Sequence, residues 1–368
     1  MNLHQKYIKE CLKISKKARG DTLPNPMVGC VIVRDGKIIA KGIHKAAGEF
    51  HAERVALLKA GKRAKGADLY VNLQPCSHHG KTPPCTDIII SSGIKRVFYG
   101  VKDPNPVSCK RSDEILRQAN IDVFPDILAE ECCVHNREFF TNQIRKRTFV
   151  FGKWAQTIDG KIADFRSRAE YISSEKTRRL VHRLRYRADA ILVGIETVLN
   201  SDPMLNIRYI KKNKSLIRIV LDSHGRIPED ARLVQTAKEY PFILVSSSLK
   251  ADKRNMFREK GVIMIEHDPY DLEGLLQILY KDYSICSLMV EGGGLITGSF
   301  HRHRLMDEYN VILAPKIAGD NNDFSCVRVG TPVRIENFSE LALWKLKRYG
   351  DEVYLRYFSE DIVCLPDS

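Results

Sequence analysis

A chain of 368 residues with 43% hydrophobic residues is long enough for two ordinary cores, so two domains are expected. A membrane-spanning apolar run and a secretory leader are not evident, which points to a cytoplasmic protein without a membrane partner, and ten cysteines are too sparse for a secreted disulfide framework. The net charge of +14 fits nucleic acid, phosphorylated small molecules or mere solubility, and alone decides nothing.

In chain order, Leu3, Tyr7, Ile8, Leu12 and Ile14 are spaced like one face of a helix. "VGCVIVRDGKIIAKGIH" predicts a hairpin around Asp35-Gly36, and a helix follows from about His51 to Leu58, stopped near Gly61. "ADLYVNLQPC" reads as a strand running into a loop, "CTDIIISSGI" as a short helix, and "KRVFYGVKD" as the next strand. "SDEILRQANI" and "DVFPD" add a helix and a short strand, and alternation of this kind predicts an α/β layered domain over residues 1–145. Beyond a boundary near Gln143 to Thr148, mostly apolar strand candidates predict a second α/β sheet over residues 148–368. They are "FVFGKWAQTIDGKIA", "DAILVGIETVLNSDP", "IRIVLDS", "FILVSSS", "VIMIEH", "SLMVEGGG" and "YNVILAPKIAG". The basic run from Arg178 to Arg187 reads as a helix with Leu180, Val181 and Leu184 on one side and mostly solvated arginines around it. Cys11, Cys30, Cys109, Cys286, Cys326 and Cys364 are scattered, as expected of buried apolar residues or free thiols, and adjacent Cys132 and Cys133 do not readily bridge each other.

The stretch "LQPCSHHGKTPPC", Leu73 to Cys85, concentrates cysteine, histidine and proline. Zinc deaminases carry H-x-E followed by P-C-x-x-C, the glutamate not being a ligand. His51-Ala52-Glu53 and Pro75-Cys76 match, with Cys85 reached after eight intervening residues instead of two. Two thiolates and a neutral imidazole balance Zn²⁺ and leave one tetrahedral position for water, whose pKa falls to about 7–9. A carboxylate beside that water moves its proton to the ring nitrogen and the leaving amine. Cys85 follows Pro83-Pro84 at an expected helix start, where the dipole favours its thiolate. On a regular helix, i and i+2 diverge by roughly 200°, so His51 and Glu53 serve one site only from a helix's first turn. A structural clip of Cys76, Cys85, His78 and His79 is the competing reading, though it has no use for Glu53.

"NPMVG" (Asn25 to Gly29), "HAE", "PCSHHGKTPPC" and "DPNP" (Asp103 to Pro106) together resemble the deaminase half of the bifunctional riboflavin-biosynthesis deaminase-reductase family. The resemblance implies a cytidine-deaminase-like three-layer domain, with His51, Cys76 and Cys85 as zinc ligands and Glu53 as the proton shuttle. It also implies that Asn25, His44, Lys81, Asp103 and Asn105 line the substrate pocket, Lys81 facing the ribose phosphate. After "DPNP" the family usually has an Ala-Gly-Lys/Arg-Gly turn, whereas this chain reads "VSCKRSDE" and lacks two glycines that let backbone approach a ligand. Lys110 and Arg111 are left to supply charge there.

In the second half, Gly292-Gly293-Gly294 follows an apolar strand and precedes an expected helix, an arrangement that brings backbone amides to a phosphate or is simply a turn. Its spacing is not the Rossmann fingerprint. Glu291, an acid at a strand end, stands out more. "TIDGKIA", "YISSE", "DAILVGIETVLNSDPMLNIR", "IRIVLDS", "VEGGG" and "APKIAG" resemble the reductase domain of the same family. The resemblance implies a dihydrofolate-reductase-like fold that uses NADPH to reduce ribosyl to ribityl. Ala155, Tyr171, Thr197, Ser201, Ser223 and Gly292–Gly294 would contact the cofactor, and Ala169, Arg185, Leu205, Arg208 and Glu291 the substrate. Guanidinium groups suit a sugar phosphate because each binds two oxygens at once. The chain departs from the family at Ser201, where an aspartate is common, and in "FRSRAEY", where Ala169 and Tyr171 replace serine and tryptophan beside added Arg166 and Arg168.

The expected function is zinc-hydroxide deamination of 2,5-diamino-6-(5-phosphoribosylamino)pyrimidin-4(3H)-one followed by NADPH reduction, in a homo-oligomer. A deaminase whose second half binds but no longer reduces is the alternative. A basic nucleic-acid-binding or nucleic-acid-editing protein is a third reading, opposed by the extra α/β half and the lack of stacking aromatics.

Overall fold

The division of the chain between Lys146 and Arg147 is visible in a computed structural model, which describes residues 2–79, 83–109, 111–163, 172–210, 214–319, 324–330 and 334–359. Lys81, Lys110, Arg166, Arg168, Ala169, Tyr171 and Cys364 therefore lie outside the described residues.

The first unit is a five-stranded sheet in the order β2-β1-β3-β4-β5. β1 (Gly29–Arg34) and β2 (Lys37–Ile43) form the expected hairpin, turned by Asp35 and Gly36 at φ 49° and 71°. β1 runs antiparallel to β3 (Asp68–Val71), which runs parallel to β4 (Arg96–Tyr99) and β5 (Asp122–Phe124). Gly29 abuts the helix Leu3–Ser15, where an added Cβ would run into the Cys11 carbonyl. Gly42, cross-strand partner of Gly29's neighbour Cys30, abuts the helix Ala52–Ala60 at the Ala52 carbonyl. Successive residues point to opposite faces, so the two helices cover opposite faces of the sheet and the unit has three layers. Leu3, expected on the buried stripe of the first helix, is exposed, whereas Cys11 joins that stripe.

The second unit is a nine-stranded sheet in the order β10-β9-β8-β7-β11-β6-β12-β14-β13. β6 (Phe149–Gln156), β7 (Ala190–Gly194), β8 (Ile217–Leu221), β9 (Phe242–Ser246), β10 (Ile263–Glu266), β11 (Ser287–Val290) and β12 (Glu308–Leu313) are all parallel. Their near-continuous apolar runs suit a sheet covered on both sides. In β7, Ile191 and Val193 join one core while Ala190 and Leu192 join the other. The "IETVLNS" part of the second strand candidate is instead a helix, Ile195–Ser201. A closing antiparallel hairpin, β13 (Leu341–Tyr349) and β14 (Glu352–Ser359), has no counterpart among the expected strands.

The basic helix forms as Glu175–Arg187, but not all its arginines are solvated. Arg187 is buried, donating to both carboxylate oxygens of Glu308 at 2.6 and 3.0 Å and lying 4.3 Å from the centre of the Phe151 ring. Cys11, Cys30 and Cys286 are buried and in no disulfide, as their scatter predicted, and the adjacent Cys132 and Cys133 are buried and not bridged to each other.

Candidate functional site

Sheet topology gathers the first site. Because β1 runs against β3, the start of β1, the end of β2 and the ends of β3 and β4 share one edge. The loop holding Asn25, the His44 ring, the Pro75-Cys76 run and the Asp103–Asn105 turn all follow from that edge.

His51 is the N-cap of the helix Ala52–Ala60, with extended dihedrals of φ −64° and ψ 155°. It stands outside the helical spiral, so the divergence of i and i+2 does not apply, and Glu53 in the first turn reaches the same side. Cys85 opens its own helix, Cys85–Ser91, immediately after Pro84. The His51 Nδ1 atom lies 3.3 Å from Cys85 Sγ and 3.5 Å from Cys76 Sγ, and the three ligand atoms fall within 4.8 Å of one another. Tetrahedral Zn²⁺ with its usual N and S bond lengths places such atoms about 3.6 Å apart, so the residues fit that metal. Among the described residues, this is the group of histidine, cysteine and carboxylate side chains that fits a metal ion, and His78 and His79 are not in it.

The electrostatics favour the thiolate at Cys76 and not at Cys85, despite the place of Cys85 at a helix start. The Cys85 thiol and the His51 ring draw the Cys76 thiol down to about 4, while Cys76 and burial push Cys85 up. Glu53 is 3% exposed and burial raises its carboxyl.

His44 is buried, its Nε2 3.1 Å from Asn25 Nδ2 and its Nδ1 3.2 Å from the Phe50 carbonyl oxygen. Its ring meets that of His51 edge-on at 5.5 Å. Asp103 Oδ1 accepts from the Asn105 amide at 2.8 Å, and Asn105 Oδ1 from that of Val107 at 3.1 Å, so the turn is locked by its own side chains. In the segment without the usual glycines, exposed Arg111 pairs with Glu114 at 3.1 Å.

The second site lies at the carboxyl ends of the parallel strands, the usual place for a ligand in an α/β sheet. Ala155 is on β6, Thr197 in the helix after β7, Ser223 beyond β8, and Glu291 to Gly294 follow β11. Glu291 Oε2 accepts from Arg185 Nε at 2.9 Å and its Oε1 from Lys153 Nζ at 3.2 Å. Burial works against its charge, but those two cations outweigh it and hold the carboxyl at about 2. Lys153 is not a residue the sequence reading singled out. Its signal is a lone lysine inside the apolar strand "FVFGKWAQ", whose neighbours are buried.

Arg185 also donates to the Asn206 carbonyl at 2.8 Å, and His182 Nδ1 accepts from the Arg208 amide at 3.1 Å. The helix Glu175–Arg187 therefore grips the segment that carries Leu205 and Arg208. Leu205 is buried with φ at 49° and Asp202 has φ 37°, left-handed backbone that costs about 1–3 kcal/mol per residue and persists where its surroundings enforce it. Arg208 itself is exposed. The Ser201 hydroxyl donates to the Thr197 carbonyl at 2.7 Å, back into its own helix. Of the three glycines, Gly293 has open space around it, whereas a side chain at Gly294 would strike the Ser325 carbonyl.

Comparison with known proteins places both units. Residues 1–101 match the family model for the cytidine and deoxycytidylate deaminase zinc-binding region, and residues 148–355 match that for the RibD C-terminal domain. The riboflavin biosynthesis protein RibD of Aquifex aeolicus is 39% identical over 353 residues, 96% of this chain and 98% of the relative. That of Escherichia coli is 35% identical over 373 residues, 98% of this chain and 97% of the relative. A solved Thermotoga maritima structure, a diaminohydroxyphosphoribosylaminopyrimidine deaminase/5-amino-6-(5-phosphoribosylamino)uracil reductase, superposes with a TM-score of 0.86 at 35% identity, covering 97% of this chain and 99% of that one. The expected fold class holds: a cytidine-deaminase-like unit precedes a dihydrofolate-reductase-like one. With one family model spanning more than half of its length and relatives aligned from end to end, the chain belongs to the RibD family of riboflavin biosynthesis proteins.

Proposed function

We propose that the chain catalyses two successive steps of riboflavin biosynthesis. Water replaces the 2-amino group of 2,5-diamino-6-(5-phosphoribosylamino)pyrimidin-4(3H)-one, releasing ammonia, and NADPH then reduces the ribosyl side chain to ribityl. The first unit houses the deaminase and the second the reductase. The observation that carries the reading is the His51–Cys76–Cys85 triangle with buried Glu53 beside it. When bound, zinc supplies a Lewis acid that makes a water acidic near neutral pH, and NADPH supplies hydride.

In this reading His51, Cys76 and Cys85 hold the zinc, and Glu53 carries the proton from water to the ring nitrogen and the departing amine. Asn25, His44, Asp103 and Asn105 orient the pyrimidine, and Lys81 meets the phosphate. In the second unit Ala155, Tyr171, Thr197, Ser201, Ser223 and Gly292–Gly294 receive NADPH. Ala169, Arg185, Leu205, Arg208 and Glu291 hold the ribosyl substrate, with the Lys153 ammonium beside Glu291. That charged cluster, assembled at the strand ends, favours a working reductase over a domain that only binds.

The basic composition suits a phosphorylated substrate and a dinucleotide in the cytoplasm, with no nucleic acid or membrane partner. Among the described residues no helix is long and apolar enough to cross a membrane. A homo-oligomer is supported by edge strand β13, which leaves Leu343, Trp344 and Leu346 exposed. Product mass tests the central reading. Incubation of the zinc-loaded chain with the diaminopyrimidinone should add about one mass unit as NH is exchanged for oxygen. Adding NADPH should then add about two more. A product that stops after the first change would remove the reductase, and no change would remove both activities.

A further inference from the structure

The loop Asn25–Gly29 brings Asn25 to His44, and backbone bonds pin its two ends. The Asn25 amide donates to the Thr22 carbonyl at 2.8 Å and the His44 amide to the Val28 carbonyl at 3.0 Å, whereas Pro26 between them has no amide hydrogen to donate. Two buried asparagines from elsewhere hold it. Asn72, the first residue after β3, accepts from the Gly29 amide at 2.7 Å and donates to the Met27 carbonyl at 3.0 Å. Asn136, between the helices Ala129–His135 and Arg137–Arg145, accepts from the Met27 amide at 2.8 Å and donates to the same carbonyl at 3.2 Å.

The two side chains are 0% and 2% exposed, and each uses an acceptor and a donor on this one loop. Met27 is thereby held through its amide and both lone pairs of its carbonyl. Gly29 is pressed so close to the Cys11 carbonyl that the loop has no room to retreat. Asn72 also stands four residues before Cys76 in the run that enters the metal triangle. The same amide thus ties the metal-ligand segment to the loop that presents Asn25.

We propose that Asn72 and Asn136 are positioning residues of the deaminase: by clamping Met27 and Gly29 they set the Asn25 amide and, through it, the His44 ring beside His51. The inference rests on the deaminase reading of the first unit. A clamp that merely held the fold together would cost stability without depending on what occupies position 25.

The test is a double-mutant cycle on the full zinc-loaded chain, with reduction of the deaminated intermediate as an internal control from the other unit. Asn136→Ala and Asn72→Ala should each lower deaminase kcat/KM by about 10- to 100-fold, with zinc content and reductase turnover unchanged. Asn25→Ala combined with Asn136→Ala should fall no further than Asn25→Ala alone, because the clamp acts through that amide. Asn136→Gln, which keeps donor and acceptor but shifts both by a methylene, should give an intermediate loss and carries the cycle if the alanine variant does not fold. Full deaminase activity in the clamp variants, penalties that multiply in the double variant, or zinc lost in step with activity would each overturn the proposal. An Asn25→Ala variant as active as the parent would overturn it too, while leaving the deaminase reading standing. A parent chain that never deaminates would instead bring down that reading, and the clamp with it.

Discussion

Glu53 and His51 are neighbours but one on opposite sides of a helix boundary, and that single fact lets the proposed ligand and the proposed proton carrier face one point. Glu53→Gln preserves shape and hydrogen bonding but cannot carry a proton. It should retain zinc by metal analysis while deaminase turnover falls by about 10²- to 10⁴-fold. Substantial remaining turnover would take Glu53 out of its role. Cys76→Ser or Cys85→Ser should lose the metal, and full occupancy in either would revive the His78/His79 clip. Arg208→Ala should raise the reductase KM about tenfold or more with little change in kcat, read by steady-state kinetics, since an exposed guanidinium meeting a phosphate contributes mainly binding. The metal ligands were legible because zinc chemistry admits few residue types at few spacings. Lys153, His182, Asn72 and Asn136 were not. A lysine in a strand, a histidine in a basic helix and amides bonded to backbone leave no periodic trace, and their roles exist only once distant segments meet.

Element by element, the helix Glu175–Arg187 owes its position to a residue far from it in sequence. Its N-cap Ser174 makes no side-chain cap of its own. Glu352, at the start of β14, accepts from the Ser174 amide and hydroxyl at 2.6 Å each and from the Thr177 hydroxyl at 2.7 Å. A carboxylate suits the positive end of the helix. Losing it returns the Ser174 amide and hydroxyl, on an exposed residue, to water and leaves the buried Thr177 hydroxyl only the Ser174 carbonyl at 3.0 Å. Glu352→Ala should therefore destabilise the second unit by about 0.5–2 kcal/mol, seen as a lower melting temperature, and raise the reductase KM because Arg185 rides on that helix. Unchanged melting would refute the anchoring role. The hairpin bearing Glu352 was illegible for a physical reason. β13 is exposed on both faces and its register shifts between Leu343 and Lys345, so neither burial nor a period of two marks it. The buried parallel strands announced themselves because both faces demand apolar residues.

For the whole molecule, each unit buries a neutral histidine. Burial and the nearby cations Arg19 and Lys16 push His135 down to about 3, and burial with Arg185 and Arg208 pushes His182 down to about 4, both from 6.5. Between 6.5 and those values the unfolded chain binds the extra proton and the folded chain does not, so acidification destabilises both units. The depressed Glu291 carboxyl adds its own loss only as pH falls from 4.5 toward about 2. Melting temperatures should therefore drop between pH 7 and 4. His135→Gln should flatten the slope of the first unit, and His182→Gln that of the second; slopes identical to the parent's would refute the assignment. The strand order of the second unit bears on its synthesis. β6 emerges first, yet its sheet neighbours are β11 and β12, from the far end of the unit, while β7 to β10 can stack as they appear. A nascent chain thus carries the apolar segment Phe149–Gln156 unpaired until the ribosome has delivered Val290, and paired on one side only until Leu313, a long-range closure that slows folding and invites aggregation or chaperone binding.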